Sequence, residues 1–249
     1  MVDEYTFDQV FAWYERIERE VLEFSERVPL TAENETLKAP RLISCLMDSC
    51  GLLDSVFRDR IGNDLVIVKG KSKAKKDCTI KDYADLHSTS LDLPNTRSVM
   101  LVSPPRYRCP FAPWKSLTQG YVDLPWWQTY NSLKHDLLSN IQKGTLGNVL
   151  DALCALHQVL ARSISLIPIL MRRGWFSPGR FEVTYILDFA KDDGLVNQKF
   201  IIMTKLFAVP DGFRSTSNCL SQFPEQIEQL RPGDYQYRPQ FAEFLGKGL

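Results

Sequence analysis

Trp126-Trp127-Gln128-Thr129-Tyr130-Asn131-Ser132-Leu133-Lys134-His135-Asp136 is the stretch on which the reading of this chain turns. It follows Asp123 and Pro125, an N-capping acceptor and a residue tolerated in a first helical turn. No breaker interrupts it before about Gln142, so a helix is expected over the whole span. At about 3.6 residues per turn, Trp127, Asn131 and His135 share one face, with Lys134 on its flank. Trp126, Tyr130, Leu133, Leu137 and Ile141 form a neighbouring apolar face. An amide, an ammonium and an imidazole therefore gather within one turn, beside aromatic rings. The other histidines are His87 and His157. His157 borders an apolar stripe and reads as structural, and His87 reads as a helix-end cap.

Working outward, Phe7, Val10, Phe11, Tyr14, Ile17, Val21, Phe24 and Val28 recur at helical spacing until Pro29. A second helix from Pro40 turns Leu42, Leu46, Leu53, Val56 and Phe57 inward and stops by Gly62-Asn63. The run Lys69-Gly70-Lys71-Ser72-Lys73-Ala74-Lys75-Lys76 has two readings: a phosphate-contacting loop, or a solvated, mobile connection. No aromatic residue is interleaved with it, which favours the second. A short helix from Thr79 to about Thr89, a strand from Arg97 to Val102 and a proline-rich loop through Pro113 follow. After the aromatic helix, a long helix is expected from Thr145 to about Arg172, kinked at Pro168. Beyond Gly174, alternation from Phe181 to Phe189 and the β-branched stretch Lys199 to Val209 read as a hairpin around Asp192-Asp193-Gly194. That hairpin is expected to pair with the Arg97 strand.

The chain has 249 residues, enough for one large domain or a main domain with an appendage, without a disulfide staple. Its 30 basic and 30 acidic residues cancel, which argues against binding nucleic acid or anionic membrane through bulk charge. The six cysteines include no C-x-x-C pair, and no ligand spacing suggests zinc. There is no Gly-rich phosphate loop and no nucleophile elbow. The apolar region from Leu146 to Leu170 carries Asp151, His157, Gln158 and Arg162, which argues against a membrane span. With no signal-peptide pattern, a soluble cytoplasmic protein is expected, with no metal, no cofactor and no membrane partner.

Two long helices, a shorter third, the aromatic helix with Asn131-x-x-Lys134-His135, and a further long helix resemble the HEPN superfamily (higher eukaryotes and prokaryotes nucleotide-binding domains). The resemblance spans roughly Tyr5 to Arg172, with the Lys69 run and the Arg97 segment as insertions. Its most specific parts are Trp126-Trp127-x-x-Tyr130-Asn131-x-x-Lys134-His135-Asp136 and Asn148-x-x-Asp151-Ala152-Leu153-x-Ala155-Leu156. It implies a mainly α fold: a HEPN-like antiparallel helical bundle over 1–174 with an inserted loop or strand near 90–115. A small β-hairpin or sheet appendage and an irregular extension would occupy 175–249.

Catalytic members of that superfamily carry an arginine, often followed by a polar residue, with a histidine five positions after the arginine. Here His135 stands at the histidine position, Asn131 at the polar one, and Tyr130 where the arginine would be. In such ribonucleases the arginine and histidine of two protomers meet across a dimer axis and cleave RNA without metal, using the 2′-OH as nucleophile. The resemblance therefore implies a homodimeric RNA- or nucleotide-binding protein, with His135, Asn131 and Lys134 as its catalytic candidates. Bacterial stress or phage defence, and a defence or toxin–antitoxin partner protein, are implied by the family alone. Lys71, Lys73, Lys75 and Lys76 are the nucleic-acid-binding candidates. Lys134 is one source of the missing cation, although it points about 100° from His135; Arg97, Arg106 and Arg108 are another. Bland alternatives stand beside each: a histidine capping or hydrogen-bonding inside the helical bundle for His135, a buried helix-tying amide for Asn131, and core or interface anchors for Trp126 and Trp127. Two functions stay open, an endoribonuclease and a non-catalytic dimerising adaptor.

Overall fold

The computed structural model describes residues 4–178 and 200–210. Those residues form two compact units, one of 4–97 with 107–159, the other of 98–106 with 160–178 and 200–210. The fold is mainly helical, with a small antiparallel sheet.

The first unit is built on α1 (Glu4–Ser25), α2 (Pro40–Arg60), α3 (Ile80–His87), α4 (Pro125–His135), the short α5 (Leu137–Asn140) and most of α6 (Leu146–Ala161). Helical spacing explains the packing: Phe11, Tyr14, Ile17 and Val21 of α1 and Leu42, Leu46, Leu53, Val56 and Phe57 of α2 are all buried. Helix α6 has almost no polar face. From Ala152 to Ala161 every residue is buried, so this is the central helix of its unit. Its first turn is fastened to the segment before α2, where Leu146 N–H donates to Leu37 O at 2.9 Å and Thr145 bridges to Lys38.

The same region holds a buried ion cluster. Arg108, with its side chain 8% exposed, donates to Asp151 Oδ1 on α6 at 2.9 Å and to Glu35 Oε1. Burial opposes the charge of Arg108, and the two carboxylates outweigh it and raise its pKa. Gly147 belongs to this arrangement, since a Cβ there would lie 3.2 Å from Glu35 Oε2 and 3.3 Å from the Glu35 carbonyl oxygen.

The second unit contains the sheet. Its strands are β3 (Ser98–Met100), β5 (Phe176–Pro178), β6 (Phe200–Met203) and β7 (Phe207–Pro210), with β4 (Arg106–Arg108) beginning at the unit's last inserted residue. The order is β4-β3-β7-β6-β5. Pairing of the Arg97 segment with the C-terminal hairpin is observed, as Val99 opposes Ala208 and Met100 opposes Phe207. The hairpin itself differs from expectation. In the stretch that begins at Lys199, residues 200–210 are two antiparallel strands, β6 and β7, turned at 204–206, where Thr204 N–H donates to Phe207 O at 2.8 Å. The expected partner strand Phe181 to Phe189, with its turn at Asp192, lies outside the described residues.

Two helices also end earlier than periodicity suggests. The helix expected from Thr145 to Arg172 stops at Ala161, and α7 (Ile167–Arg172) is a separate piece. Proline cannot accept the preceding turn's geometry within a helix interior, and Pro168 instead occupies the first turn of α7, where that geometry is tolerated. The aromatic helix stops at His135 because Asp136 caps a new turn, its Oδ1 accepting from Ser139 N–H at 3.1 Å. The cap of α4 is Leu124 rather than Asp123 and makes no side-chain capping bond.

His87 and His157 are packed inside the first unit. His87 stacks on Phe57 with ring centroids 5.5 Å apart, and its Nε2 meets Phe57 O at 3.1 Å. Burial, then the charge of Arg60, hold its pKa down at about 4, while burial puts His157 at about 3. Unfolding restores an ordinary histidine near 6.5, so the unfolded chain binds more protons below that pH. Stability from the two neutral rings is thus complete above about 6.5 and is lost as pH falls toward 4 and below. Urea titrations should show the midpoint falling between pH 6.5 and 4. His87→Phe, which keeps the stacking ring, should flatten that fall. A second expectation concerns the ion cluster. Arg108→Met should cost roughly 3–5 kcal/mol in chemical denaturation, because it leaves two carboxylates without their cation.

Candidate functional site

Helix α4 divides its residues sharply between core and solvent. Trp126, Trp127, Thr129, Tyr130 and Leu133 are buried. Trp126 Nε1 donates to Pro110 O at 3.0 Å, and its ring packs edge-on against Phe111 and Trp127. Both tryptophans are therefore core residues. Thr129 is tied to α6, its Oγ1 accepting from Asn148 Nδ2 at 3.2 Å. With Asp151 bound to Arg108, the Asn148 and Asp151 motif positions serve packing.

The opposite side is the candidate site. Asn131 is half-buried, and Lys134 and His135 are exposed in the last turn. The side chains of Asn131 and His135 make no hydrogen bond or ion pair with the described residues. Lys134 Nζ lies over the Tyr130 ring, 5.5 Å from its centroid, a contact that the i,i+4 spacing made legible. Burial raises the Tyr130 pKa, with Lys134 opposing. A hydroxyl held protonated in this way cannot replace a cation. Tyr130 packs on Trp127 with centroids 5.1 Å apart, so the position matching the family arginine is a core position here. Of the inserted arginines, Arg108 is committed to Glu35 and Asp151, and Arg97 lies over Tyr107 at 5.3 Å.

The apolar face expected to continue into Leu137 and Ile141 does not. Past the Asp136 cap, Leu137, Leu138 and Ile141 are 47%, 84% and 43% exposed. Aliphatic side chains thus border His135. Lys143 also reaches this end of α4, its Nζ 3.5 Å from Ser132 Oγ.

The lysine run is not an irregular connection. Leu65–Val68 (β1) and Lys71–Ala74 (β2) are an antiparallel hairpin, closed by Lys69 and Gly70 with φ of 49° and 76°. Positive φ at both central residues is the turn that suits the twist of a two-residue hairpin. Two of its lysines hold the hairpin to α3: Lys73 to Asp82 at 2.6 Å and Lys69 to Asp85 at 3.1 Å. The same Asp82 oxygen caps α3, accepting from Thr79 N–H at 2.7 Å and Thr79 Oγ1 at 2.8 Å. Burial pushes the Asp82 carboxyl up, but the bonds from Lys73 and Thr79 prevail and hold its pKa low. Lys71 and Lys76 are exposed and Lys75 is half-buried. None of these three forms an ion pair among the described residues.

Among the described residues no three His, Cys, Asp or Glu side chains gather as a metal group, and no helix is long and apolar enough to cross a membrane. The chain matches no family model, no curated protein and no solved structure.

This division of the lysines has a measurable consequence. Lys73→Gln should lower Tm, whereas Lys71→Gln, Lys75→Gln and Lys76→Gln combined should leave it within about 1–2 °C, as surface substitutions do. A depressed carboxyl pKa stabilises above the unfolded value of about 3.9 and loses that contribution as pH falls through the folded one. The Tm difference between Lys73→Gln and wild type should therefore shrink below about pH 4. Equal Tm losses from both variants would refute the distinction.

Proposed function

We propose that this chain is a HEPN-like RNA-binding protein acting through the exposed end of α4, with His135 as the proton-exchanging group of a metal-independent endoribonuclease. One observation carries the reading. His87 and His157 are consumed by the core, while His135, beside Asn131 and Lys134, is presented to solvent with its ring unengaged by the described residues. The exposed ring supports this reading over a histidine hydrogen-bonded inside the bundle, while the capping alternative stands beside it, since His135 is in the last turn of α4. In the proposed reaction His135 takes the proton of an RNA 2′-OH as that oxygen attacks phosphorus, and the P–O5′ bond breaks to give a 2′,3′-cyclic phosphate and a 5′-hydroxyl, the leaving oxygen taking its proton from water. Lys134, and Lys143 at the same end, supply positive charge for the phosphoryl oxygens. Two copies would share the site, and Leu137, Leu138 and Ile141 give that end of the molecule an apolar surface to bury. The setting, bacterial stress or phage defence beside a toxin–antitoxin or defence partner, follows from the resemblance.

A second reading is favoured by a separate observation. Tyr130 fills the arginine position with a buried ring, 6% exposed, packed under Lys134 and on Trp127. A chain that has made this position part of its core suits a non-catalytic dimerising adaptor.

Cleavage of end-labelled RNA in EDTA decides between them. Under the first reading wild type cleaves, His135→Ala loses about 100-fold or more, and Asn131→Ala loses less. Lys71, Lys75 and Lys76 changed together to glutamine should weaken RNA binding and reduce the slope of log affinity against log salt by up to about 2–3. Tyr130→Arg restores the family residue but places a guanidinium at a buried position, so its Tm should fall by several degrees. No cleavage by folded wild type, or cleavage undiminished in His135→Ala, removes the enzyme and leaves the adaptor.

A further inference from the structure

The lysine hairpin has two faces and two edges, and they differ in a way that bears on association. Directly opposed residues share a face, so Leu65, Ile67, Ser72 and Ala74 lie on one side and Val66, Val68, Lys71 and Lys73 on the other. The second side is held toward α3 by Lys73–Asp82 and Lys69–Asp85, and Val68 is buried. The first side is uncharged and open, with Leu65 64% and Ile67 73% exposed. The outer edge of β2 carries Lys71 and Lys73 and would repel a copy of itself. The outer edge of β1 is Leu-Val-Ile-Val, and among the described residues it has no strand partner. Natural sheets seldom leave such an apolar edge bare.

We infer that the β1 edge is an interface for a second copy of this chain, joined by antiparallel pairing of Leu65–Val68 into a four-stranded sheet. The flanking charges select this occupant. Asp64 precedes the strand and Lys69 follows it, so antiparallel self-pairing brings the Asp64 end of each copy to the Lys69 end of the other. Parallel pairing would oppose like charges instead. The register follows from the faces. Centring the two-fold axis on Val66 sets Leu65 against Ile67 of the second copy and merges both open faces into one aliphatic strip. A one-residue slip would turn the two strips to opposite sides. Centred there, three β1 residues a side pair with one another and Val68 falls opposite Asp64, which buries far less than the roughly 1,000 Å² of a stable interface, so this contact alone is weak and concentration-dependent. It is independent of the RNA reading and of any dimer formed through the end of α4.

Disulfide trapping tests it, because pairs across an antiparallel ladder lie about 4.5–5.5 Å apart at Cα, within disulfide reach. In a Cys109→Ser, Cys219→Ser background, Val66→Cys should give covalent dimer under mild oxidant at least about five-fold faster than Ser72→Cys, which sits on β2. Adding Ile67→Lys to Val66→Cys should reduce the trapping rate by a similar factor, with unchanged circular dichroism. Leu138→Asp, on α5, should leave trapping intact even where it abolishes an α4-centred dimer and RNA cleavage. Trapping of Val66→Cys no faster than Ser72→Cys, or insensitive to Ile67→Lys, overturns the interface and leaves the functional proposal standing.

Discussion

The guanidinium of Arg108 is the constraint on which the first unit depends. Its two carboxylates come from distant parts of the sequence, Glu35 in the turn before α2 and Asp151 on α6. A buried cation is costly alone, and each carboxylate is costly without it, so the three groups are stable only together. Their meeting places the pre-α2 segment against the start of α6, where Gly147 leaves room for Glu35 and Leu37 accepts from Leu146 N–H. One turn along, Asn148 reaches Thr129 and so sets α4 against the same helix. The orientation of α4, and with it the exposure of His135, is thus linked to an ion cluster that takes no part in any proposed chemistry. An arginine that seemed free to serve a site is fully occupied in the structure.

Aromatic packing does the rest of the positioning. Tyr83 and His87 stack on Phe57, which meets Phe111 edge-on; Phe111 meets Trp126, and the chain of rings continues through Trp127 to Tyr130. Large rigid rings in mixed edge and stacked arrangements fix a helix rotation more closely than aliphatic side chains do. That rotation sends Asn131, Lys134 and His135 outward. The richness in tryptophan that draws attention to this helix is thus a property of its buried side, and the polar residues between the rings are the exposed remainder.

Helix faces were legible because burial follows a 3.6-residue period, and the inward residues of α1 and α2 were read correctly from it. The strand character of the Arg97 segment and of the stretch ending at Val209 was legible from β-branched and aromatic composition, although composition does not say which strands pair. What escaped were places where one side chain overrides a continuing pattern. Asp136 has ordinary helical spacing around it, yet its carboxylate finds Ser139 N–H and ends α4, turning three aliphatic residues out to solvent. Leu65 to Val68 is apolar and β-branched enough for a strand, but the lysines that follow have no composition that marks them as its partner. Lys69-Gly70 is a turn because of its backbone conformation, with φ positive at both residues, and lysine is an uncommon choice there. The pairing of Lys73 with Asp82 and of Lys69 with Asp85 joins a strand and a turn to a helix, and nothing in local spacing reports it. Of the site itself, the gathering of Asn131, Lys134 and His135 on α4 and the place of Tyr130 on its apolar face were legible from helical spacing, while the exposure of Leu137 and Ile141 on that same face was not.

The position of His135 at the last residue of α4 sets an electrostatic condition on any phosphate chemistry there. The carbonyl end of a helix carries about half a negative charge, which works against an approaching phosphate. A helix N-terminus would have drawn the anion in; this end must be compensated. Lys134 and Lys143 are the compensation the structure offers, the first held over Tyr130 by its ring and the second directed to Ser132. Both lie on or next to the same turn as His135, so they offset the helix end where it matters. The compensation is local and modest, in a chain whose total charge is zero. On the proposed reading, phosphate binding at this end would need further cations, such as the lysines of a second copy. Under the proposed nuclease reading, that requirement is the physical reason to expect little activity from a single chain at this helix end and more from a pair, in which each copy brings its own lysines.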